Sequence, residues 1–153
     1  MNFVRNVPMN SWVCVDANLA LKLLLREPDS YKAHSLWDSW LLRDCHIAAP
    51  PLLPIEVTAV LRKSVYRGRI TAQDGRNLLK KAPTLSVEIL NFDDLHERAW
   101  VLAEKLNRPT AYDAHYLALA ELLQCDFWTA DRRLYNAAAI LRWVHSLDEI
   151  PEQ

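Results

Sequence analysis

The chain has 153 residues, of which 51% are hydrophobic and 24% charged, so it is long enough to bury one core and short enough to form a single domain. Its formal net charge of -1 argues against a protein that attracts nucleic acid through an overall positive field; a local basic patch and a metal would have to hold such a ligand. Three widely spaced cysteines argue against a disulfide framework and a thiolate zinc site, and no apolar run is long enough to span a bilayer. We expect a cytoplasmic protein without a membrane segment, with a short unanchored segment at 1–10, a single domain over 11–150 and unanchored last residues.

Short hydrophobic strands and helices alternate along the sequence. The strands are predicted at 12–16, 46–49, 86–90, 125–129 and 141–145, and the helices at 18–27, 30–43, 55–67, 75–82, 93–106, 111–123 and 132–139. Thr71 and Asp74 have the form of a capping box before the fourth helix, and Thr110 is predicted to cap the sixth. The sixth helix is apolar on nearly every side, which predicts a place in the interior.

This alternation predicts an α/β fold, a three-layer α/β/α sandwich with a central, mainly parallel sheet. In such sheets ligands bind beyond the carboxyl ends of the strands. Asp16 and Asp131 each follow a predicted strand directly, and Glu56 and Asp113 lie at the start of predicted helices. Several ionised carboxylates near a core repel one another and lose solvation, and a divalent cation is the usual remedy. A hard-metal site is therefore the leading interpretation.

Each acid also has a structural explanation. Asp16 and Asp131 could cap the helices that follow them, because Asp favours that position. Asp113 could complete a capping box with Thr110, and Glu56 could be a solvated acid in the first turn of its helix. Any one of them alone is more simply explained in this way, but their joint placement at element ends favours a site.

Four segments resemble, in order and spacing, the motifs of PIN-domain ribonucleases of the VapC toxin type. They are VDANLALKLLL around Asp16, LPIEVTAVLRK around Glu56, YDAHYLALAE around Asp113 and TADRRL around Asp131. The likeness spans 13 to about 144. It implies a PIN-like fold and an endoribonuclease that depends on Mg²⁺ or Mn²⁺, the toxin of a type II toxin–antitoxin system. Such an enzyme hydrolyses the phosphodiester to a 5′ phosphate and a 3′ hydroxyl without a side-chain nucleophile.

The resemblance also implies roles for individual residues. Asp16 and Asp113 would bind the metal directly, and Glu56 and Asp131 directly or through water. Asn18 and Thr129 would be polar supports, although ordinary turn or strand-end hydrogen bonds would explain both.

Several basic and aromatic residues are possible RNA contacts. The basic ones, which could equally be solvated surface charges, are Lys22, Arg62, Lys63, Arg132 and Arg133. Three tryptophans have helical spacing among apolar neighbours, which favours core or interface positions over base stacking; they are Trp37, Trp40 and Trp100.

Family resemblance suggests an RNA substrate, a homodimer and an antitoxin whose tail enters a groove near the acids. The helices predicted at 55–67 and 75–82 would line part of that groove. Their possible contacts, for which core packing is the alternative explanation, are Val57, Val60, Leu61, Leu78 and Leu79.

Two other classes of protein remain as alternatives. One is a module that binds RNA or protein without catalysis. The other is a receiver-like domain that binds Mg²⁺ and accepts phosphate, but the segment VCVDAN carries a single acid and no suitable lysine follows. Scattered histidines argue against a zinc site, and the presence of only two glycines argues against a phosphate-binding loop.

Overall fold

A five-stranded parallel sheet forms the centre of the protein. The computed structural model describes residues 11–153; the segment 1–10, predicted to be unanchored, lies outside them. The strands are β1 (Trp12–Val15), β2 (His46–Ala49), β3 (Val87–Ile89), β4 (Asp126–Thr129) and β5 (Val144–Ser146). All pairings are parallel and the spatial order is β3-β2-β1-β4-β5. The predicted fold class, a three-layer α/β/α sandwich, is confirmed.

Helices connect the strands and cover the sheet. They are α1 (Ala17–Leu24), α2 (Ser30–Leu42), α3 (Leu52–Tyr66), α4 (Ala72–Lys81), α5 (Leu95–Lys105), α6 (Tyr112–Leu123) and α7 (Arg132–Ala137). Short 3₁₀ turns at Ala82–Leu85 and Leu147–Glu149 follow α4 and β5. No helix of residues 11–153 is both long and apolar enough to cross a membrane.

The middle strand and the sixth helix supply much of the core. Val13 of β1 pairs with Ile47 of β2 and with Asp126 of β4, so β1 has a neighbour on each side, and Val15 is fully buried. The predicted interior position of α6 is confirmed, because its residues from Tyr116 to Ala120 are all buried against the sheet. The apolar strand and the apolar helix are therefore buried for the same reason, removal of hydrocarbon from water.

Several helix starts differ from the sequence prediction, and the third and fourth helices each begin three residues earlier than predicted. The third helix begins at Leu52 rather than at 55, because Pro54 falls in its first turn, where a missing backbone N–H costs nothing. Glu56 therefore lies beyond the first turn. The prediction that Thr110 caps α6 is wrong: the residue at the cap position is Ala111, and no side chain caps the helix. The predicted cap of α4 is confirmed, since Thr71 accepts a hydrogen bond from the Asp74 N–H, and that helix begins at once at Ala72.

Two further predictions fail at the surface. Trp37 and Trp40 lie in the core as predicted, but Trp100 has 66% of its surface exposed, on the side of α5 away from α6. A core position is therefore wrong for Trp100, and an interface position stays a prediction. The last residues are anchored: the Glu152 carboxylate accepts hydrogen bonds from Lys32 Nζ and from the Tyr31 hydroxyl, both at 2.8 Å. Those two partners lie on α2, and the hydropathy of the sequence does not predict this contact between α2 and the last residues.

Candidate active site

The carboxyl ends of β1 and β4 form the point where the sheet changes direction. From β1 the chain continues to β2 on one side, whereas β4 joins β1 from the other side. Ligand sites of parallel sheets form at such a point because the connections diverge there. Asp16 follows β1 and Asp131 follows β4 after one intervening residue, so the strand order brings these two acids to the same edge.

Asp16 is held rigidly and is almost entirely buried, with 2% of its surface exposed. One carboxylate oxygen accepts a hydrogen bond from the Leu19 N–H at 2.9 Å and so caps α1. The other accepts a short hydrogen bond from the Thr129 hydroxyl. Burial raises the pKa of Asp16 to about 7; these two hydrogen bonds lower it, and repulsion from Asp131 and Glu56 raises it further.

Thr129 links the two strand ends. It is fully buried at the end of β4, and its hydroxyl accepts a hydrogen bond from the Asp131 N–H at 2.9 Å while it donates to Asp16. The Asp131 carboxylate in turn accepts hydrogen bonds from the N–H groups of Arg133 and Leu134 and caps α7. Both strand-end acids are therefore helix caps, as the structural explanation predicted. They also lie close enough together for Asp131 to raise the pKa of Asp16.

Two helices bring the other acids to the same place. Glu56 of α3 has its pKa raised by burial and by repulsion from Asp113 and Asp131, and the nearby hydroxyl of Tyr116 opposes that rise. Asp113 in the first turn of α6 has its pKa raised by burial and by repulsion from Asp131, and the guanidinium of Arg108 at 3.7 Å opposes that rise. Each acid thus affects at least one other, and we call these four residues, Asp16, Glu56, Asp113 and Asp131, the acidic cluster.

The acidic cluster has the chemistry that a hard divalent cation needs. All of its donors are oxygens, and mutual repulsion together with lost solvation would be relieved by a positive ion. Within residues 11–153, no three His, Cys, Asp or Glu side chains are already arranged around one point as metal ligands. Mg²⁺ does not require such an arrangement, because it keeps several of its waters and uses one or two carboxylates.

The other predicted site residues divide into three groups. Thr129 supports Asp16 directly, whereas Asn18 is exposed and makes no hydrogen bond to the acidic cluster within the described part of the chain. Lys22 is paired with Glu27 and Asp29, and Arg132 with Asp148, so internal partners already neutralise these two cations. Of the five predicted cations, the three that are exposed and form no salt bridge among residues 11–153 are Arg62, Lys63 and Arg133.

A groove of about 600 Å³ leads away from Asp131. Its lining includes Asn18, Lys22, Arg133, Leu147 and Asp148. The groove is polar, open to solvent and continuous with one member of the acidic cluster, so an extended polar ligand could lie along it.

One residue of this region escaped the sequence analysis. Tyr116 of α6 is 1% exposed, and its pKa is raised by burial and by the nearby carboxylates of Glu56 and Asp16. The available signal was its position three residues after Asp113 on an otherwise apolar helix, which places both side chains on one face.

A parallel α/β/α sandwich with carboxylates gathered at its central switch point defines the class of protein. The chain belongs to the PIN domain family, whose sequence profile matches residues 13–140. It is 35% identical over 122 residues to ribonuclease VapC9 of Mycobacterium tuberculosis, an alignment that covers 80% of this chain and 87% of that protein. The resemblance seen in the four sequence motifs is confirmed.

Solved structures show the same fold at lower sequence identity. PAE2754 from Pyrobaculum aerophilum matches with a TM-score of 0.65 and 22% identity, over 92% of this chain and 93% of that one. A toxin–antitoxin complex from Klebsiella pneumoniae contains a chain that matches with a TM-score of 0.58 and 21% identity, over 86% of this chain and 94% of that one.

Proposed function

We propose that this protein is an endoribonuclease of the VapC type that depends on Mg²⁺ or Mn²⁺ and acts as the toxin of a toxin–antitoxin pair. The observation that carries the proposal is the acidic cluster, four carboxylates at the switch point of a PIN fold, in which repulsion from other members raises the pKa of Asp16, Glu56 and Asp113. The similarity to VapC9, whose name states a ribonuclease, supports the substrate class.

The residues of the cluster have distinct parts in this function. Asp16 and Asp113 are proposed as direct metal ligands, and Glu56 and Asp131 as ligands that act directly or through water. When bound, the divalent cation supplies activation of water and neutralisation of phosphate charge. Thr129 and the Leu19 N–H hold Asp16 in one orientation, and the N-terminal amides of α7 hold Asp131, so the carboxylates need little reorganisation when substrate arrives.

Unpaired cations near the cluster are proposed to contact the RNA backbone. Arg133 lines the groove beside Asp131, and Arg62 and Lys63 are exposed on the helix that carries Glu56. Lys22 and Arg132 are weaker candidates, because each would first have to leave an internal carboxylate.

The test is cleavage of a mixed RNA substrate by three proteins, the wild type, Asp113→Asn and Asp38→Asn. Asp38 is an exposed acid of α2 that contributes to no pKa shift in the cluster, so it undergoes the same chemical change elsewhere. We expect Asp113→Asn to lose at least about 100-fold in rate and Asp38→Asn to match the wild type, because only the first removes a cluster charge.

The result also separates the proposal from the alternative of a non-catalytic module. Cleavage that EDTA stops and Mg²⁺ or Mn²⁺ restores supports the enzyme. RNA binding without cleavage by any of the three proteins, across both metals, would favour the binding module and reject the enzyme.

An antitoxin is proposed to cover the side of the molecule formed by α3, α4 and β3. An apolar cavity of about 270 Å³ lies there, lined by Leu53, Pro54, Leu79 and Ile89 among others. Of the contacts considered from the sequence, Val57 and Leu61 are core residues with 3% and 2% exposure, whereas Leu79 is 43% exposed. A partner side chain in this cavity would therefore contact Leu79 at its exposed edge and Val57 in its wall, whereas Leu61 does not line it.

Capture from native cells tests this partner. A tagged wild type should retain one small protein that inhibits cleavage, and Leu79→Asp should lose it without losing cleavage. Retention of that inhibitor by Leu79→Asp would show that the partner binds a different surface.

A homodimer is also proposed, with α5 as its surface, because Trp100 and Val101 are 66% and 54% exposed on consecutive positions. Light scattering should then give twice the 17.7 kDa chain mass, and Trp100→Glu should give the monomer mass. Leu42→Glu is the matched control, since Leu42 is 85% exposed on α2.

A further inference from the structure

Tyr116 carries a buried hydroxyl that forms no hydrogen bond of ordinary geometry within the described residues. The side chain is 1% exposed, and its hydroxyl is the one fully buried side-chain polar atom within residues 11–153 that lacks a hydrogen-bond partner. Its ring packs beside Phe127 of β4 with the centroids 6.4 Å apart. A phenylalanine would keep that packing and avoid the cost of burying an unpartnered hydroxyl. The hydroxyl therefore needs an explanation outside the core.

The position of Tyr116 connects it to the acidic cluster. It lies one helical turn after Asp113, on a helix that packs against both β1 and β4. The carboxylates of Glu56 and Asp16 are close enough to the phenol to raise its pKa, after the larger effect of burial. The hydroxyl thus stays protonated at neutral pH and is a hydrogen-bond donor toward these acids.

Glu56 is the member of the cluster that lacks support. Asp16 accepts hydrogen bonds from Leu19 and Thr129, and Asp131 accepts two from backbone amides. Asp113 has Arg108 at 3.7 Å. Glu56 forms no hydrogen bond of ordinary geometry among the described residues, and the one donor close enough to lower its pKa is the Tyr116 hydroxyl. Its long side chain has three rotatable bonds to fix. An unpartnered donor and an unsupported acceptor therefore face the same pocket.

We propose that Tyr116 is a positioning residue that donates its hydroxyl to the Glu56 carboxylate and thereby orients this acid for the divalent cation. The inference rests on the proposed function of the acidic cluster. It assigns the phenol the role that Thr129 has for Asp16: a donor outside the metal's own ligands that fixes a carboxylate.

The test is the substitution Tyr116→Phe, which removes one oxygen and keeps the ring. Without metal, we expect the urea midpoint of unfolding to be equal to or above that of the wild type, because the metal-free structure shows no hydrogen bond of ordinary geometry at this hydroxyl and the packing of the ring is kept. Mn²⁺ binding, measured by calorimetry without RNA, should weaken about 10-fold, as is typical when a partner of a metal ligand is removed. The turnover number kcat at saturating metal should fall by a similar factor while KM for RNA stays unchanged. Tyr66→Phe, at an 80% exposed position, is the matched control and should change none of these quantities.

A second variant keeps the outcome interpretable. If Tyr116 acts through Glu56, the double variant Tyr116→Phe with Glu56→Gln should bind Mn²⁺ no more weakly than Glu56→Gln alone. Losses that multiply would overturn the inference, as would a lower urea midpoint for Tyr116→Phe or unchanged Mn²⁺ binding.

Failure of the inference is distinguishable from failure of the function. Full cleavage by Tyr116→Phe beside an inactive Asp113→Asn rejects only the role of Tyr116. An inactive wild type rejects the nuclease, and the Mn²⁺ titration still decides the role of Tyr116.

Discussion

At the scale of single residues, the buried carboxylate of Asp16 lowers the stability of the folded protein. A carboxylate with 2% exposure would be more stable protonated, and burial raises its pKa from an ordinary 3.8 to about 7. The hydrogen bonds from Leu19 and Thr129 offset only part of that cost. Retention of such a group is expected where function requires a fixed negative charge, and it makes the folded state sensitive to pH.

The sign of this sensitivity follows from the two pKa values of Asp16. Between about 4 and about 7 the folded state binds more protons at this position than the unfolded state, so the free energy of unfolding falls as pH rises through that window. The difference amounts to on the order of 4 kcal/mol if the unfolded value is ordinary. Asp16→Asn cannot ionise, so urea unfolding at pH 4.5 and pH 8 should show a smaller decrease for the variant than for the wild type.

A control and a contrary outcome complete this prediction. Asp38→Asn should follow the wild type at both pH values, because Asp38 is exposed. Parallel decreases for the wild type and Asp16→Asn would show that Asp16 does not titrate in this window. The same Asn variant should be inactive toward RNA while more stable at pH 8, the usual conflict between a functional charge and stability.

The sequence predicts only some of these features of single residues. Asp16, Asp113, Asp131 and Glu56 each have a motif around them, but the support of Asp16 by Thr129 joins residues far apart in the chain. Tyr116 looks like one more apolar residue of α6 until its neighbours are known. Side-chain partners between elements depend on packing, which a single sequence does not encode as a local pattern.

At the scale of elements, α3 and α4 form a closely packed pair. Gly75 of α4 faces α3, and a Cβ atom at that position would lie 2.4 Å from Cγ2 of Val65. The glycine is thus required by the approach of the two helices and not by its backbone conformation. This pair carries Glu56 on one helix and borders the proposed antitoxin surface with the other.

Gly75→Ala should therefore destabilise the protein even though alanine is the better helix former. The clash with Val65 should lower the free energy of unfolding by about 1 to 3 kcal/mol, the usual cost of overpacking. Urea denaturation measures this change. Lys80→Ala, at an exposed position of the same helix, supplies the control and should leave the stability within about 0.5 kcal/mol. A stabilised Gly75→Ala would mean that α4 can move away from α3 without loss.

Element boundaries show where sequence patterns succeed and where they stop. The capping box at Thr71 is local and was predicted correctly. Thr110 offers an equally good local pattern, but the chain turns so that the cap position falls at Ala111. The third helix was predicted to begin only after Pro54, although a proline in the first turn of a helix is compatible with it.

At the scale of the whole molecule, the strand order assembles the site. The alternating pattern was enough to predict a parallel α/β/α sandwich, because strand and helix periods are local properties. The order β3-β2-β1-β4-β5 is not local, and it alone explains why Asp16 and Asp131 share an edge. The anchoring of Glu152 on α2 was missed for the same reason.

The charge distribution predicts a weak salt dependence of RNA binding. The formal net charge is -1, and the three candidate cations without internal partners are Arg62, Lys63 and Arg133. Three phosphate contacts to a single strand correspond to a slope of about -2 in a plot of log K against log salt. Binding of a cleavage-resistant phosphorothioate RNA in Mg²⁺, measured at several salt concentrations, should give this slope.

The matched variant for that measurement is Arg133→Gln. It should reduce the magnitude of the slope by about 0.7, the share of one contact. A slope much steeper than -2 would indicate that Lys22 and Arg132 leave their internal carboxylates to bind RNA. EDTA should abolish binding altogether, because the acidic cluster without a cation repels phosphate.

The central place of β1 has a consequence for biosynthesis. Its second neighbour, β4, begins only at Asp126, so a growing polypeptide still attached to the ribosome has Asp16 long before it has Thr129 or Asp131. Until β4 and the residues after it have emerged, Asp16 lacks its hydrogen bond from Thr129 and the acidic cluster lacks Asp131. The proposed hydrolase would therefore be complete only after nearly the entire message has been translated.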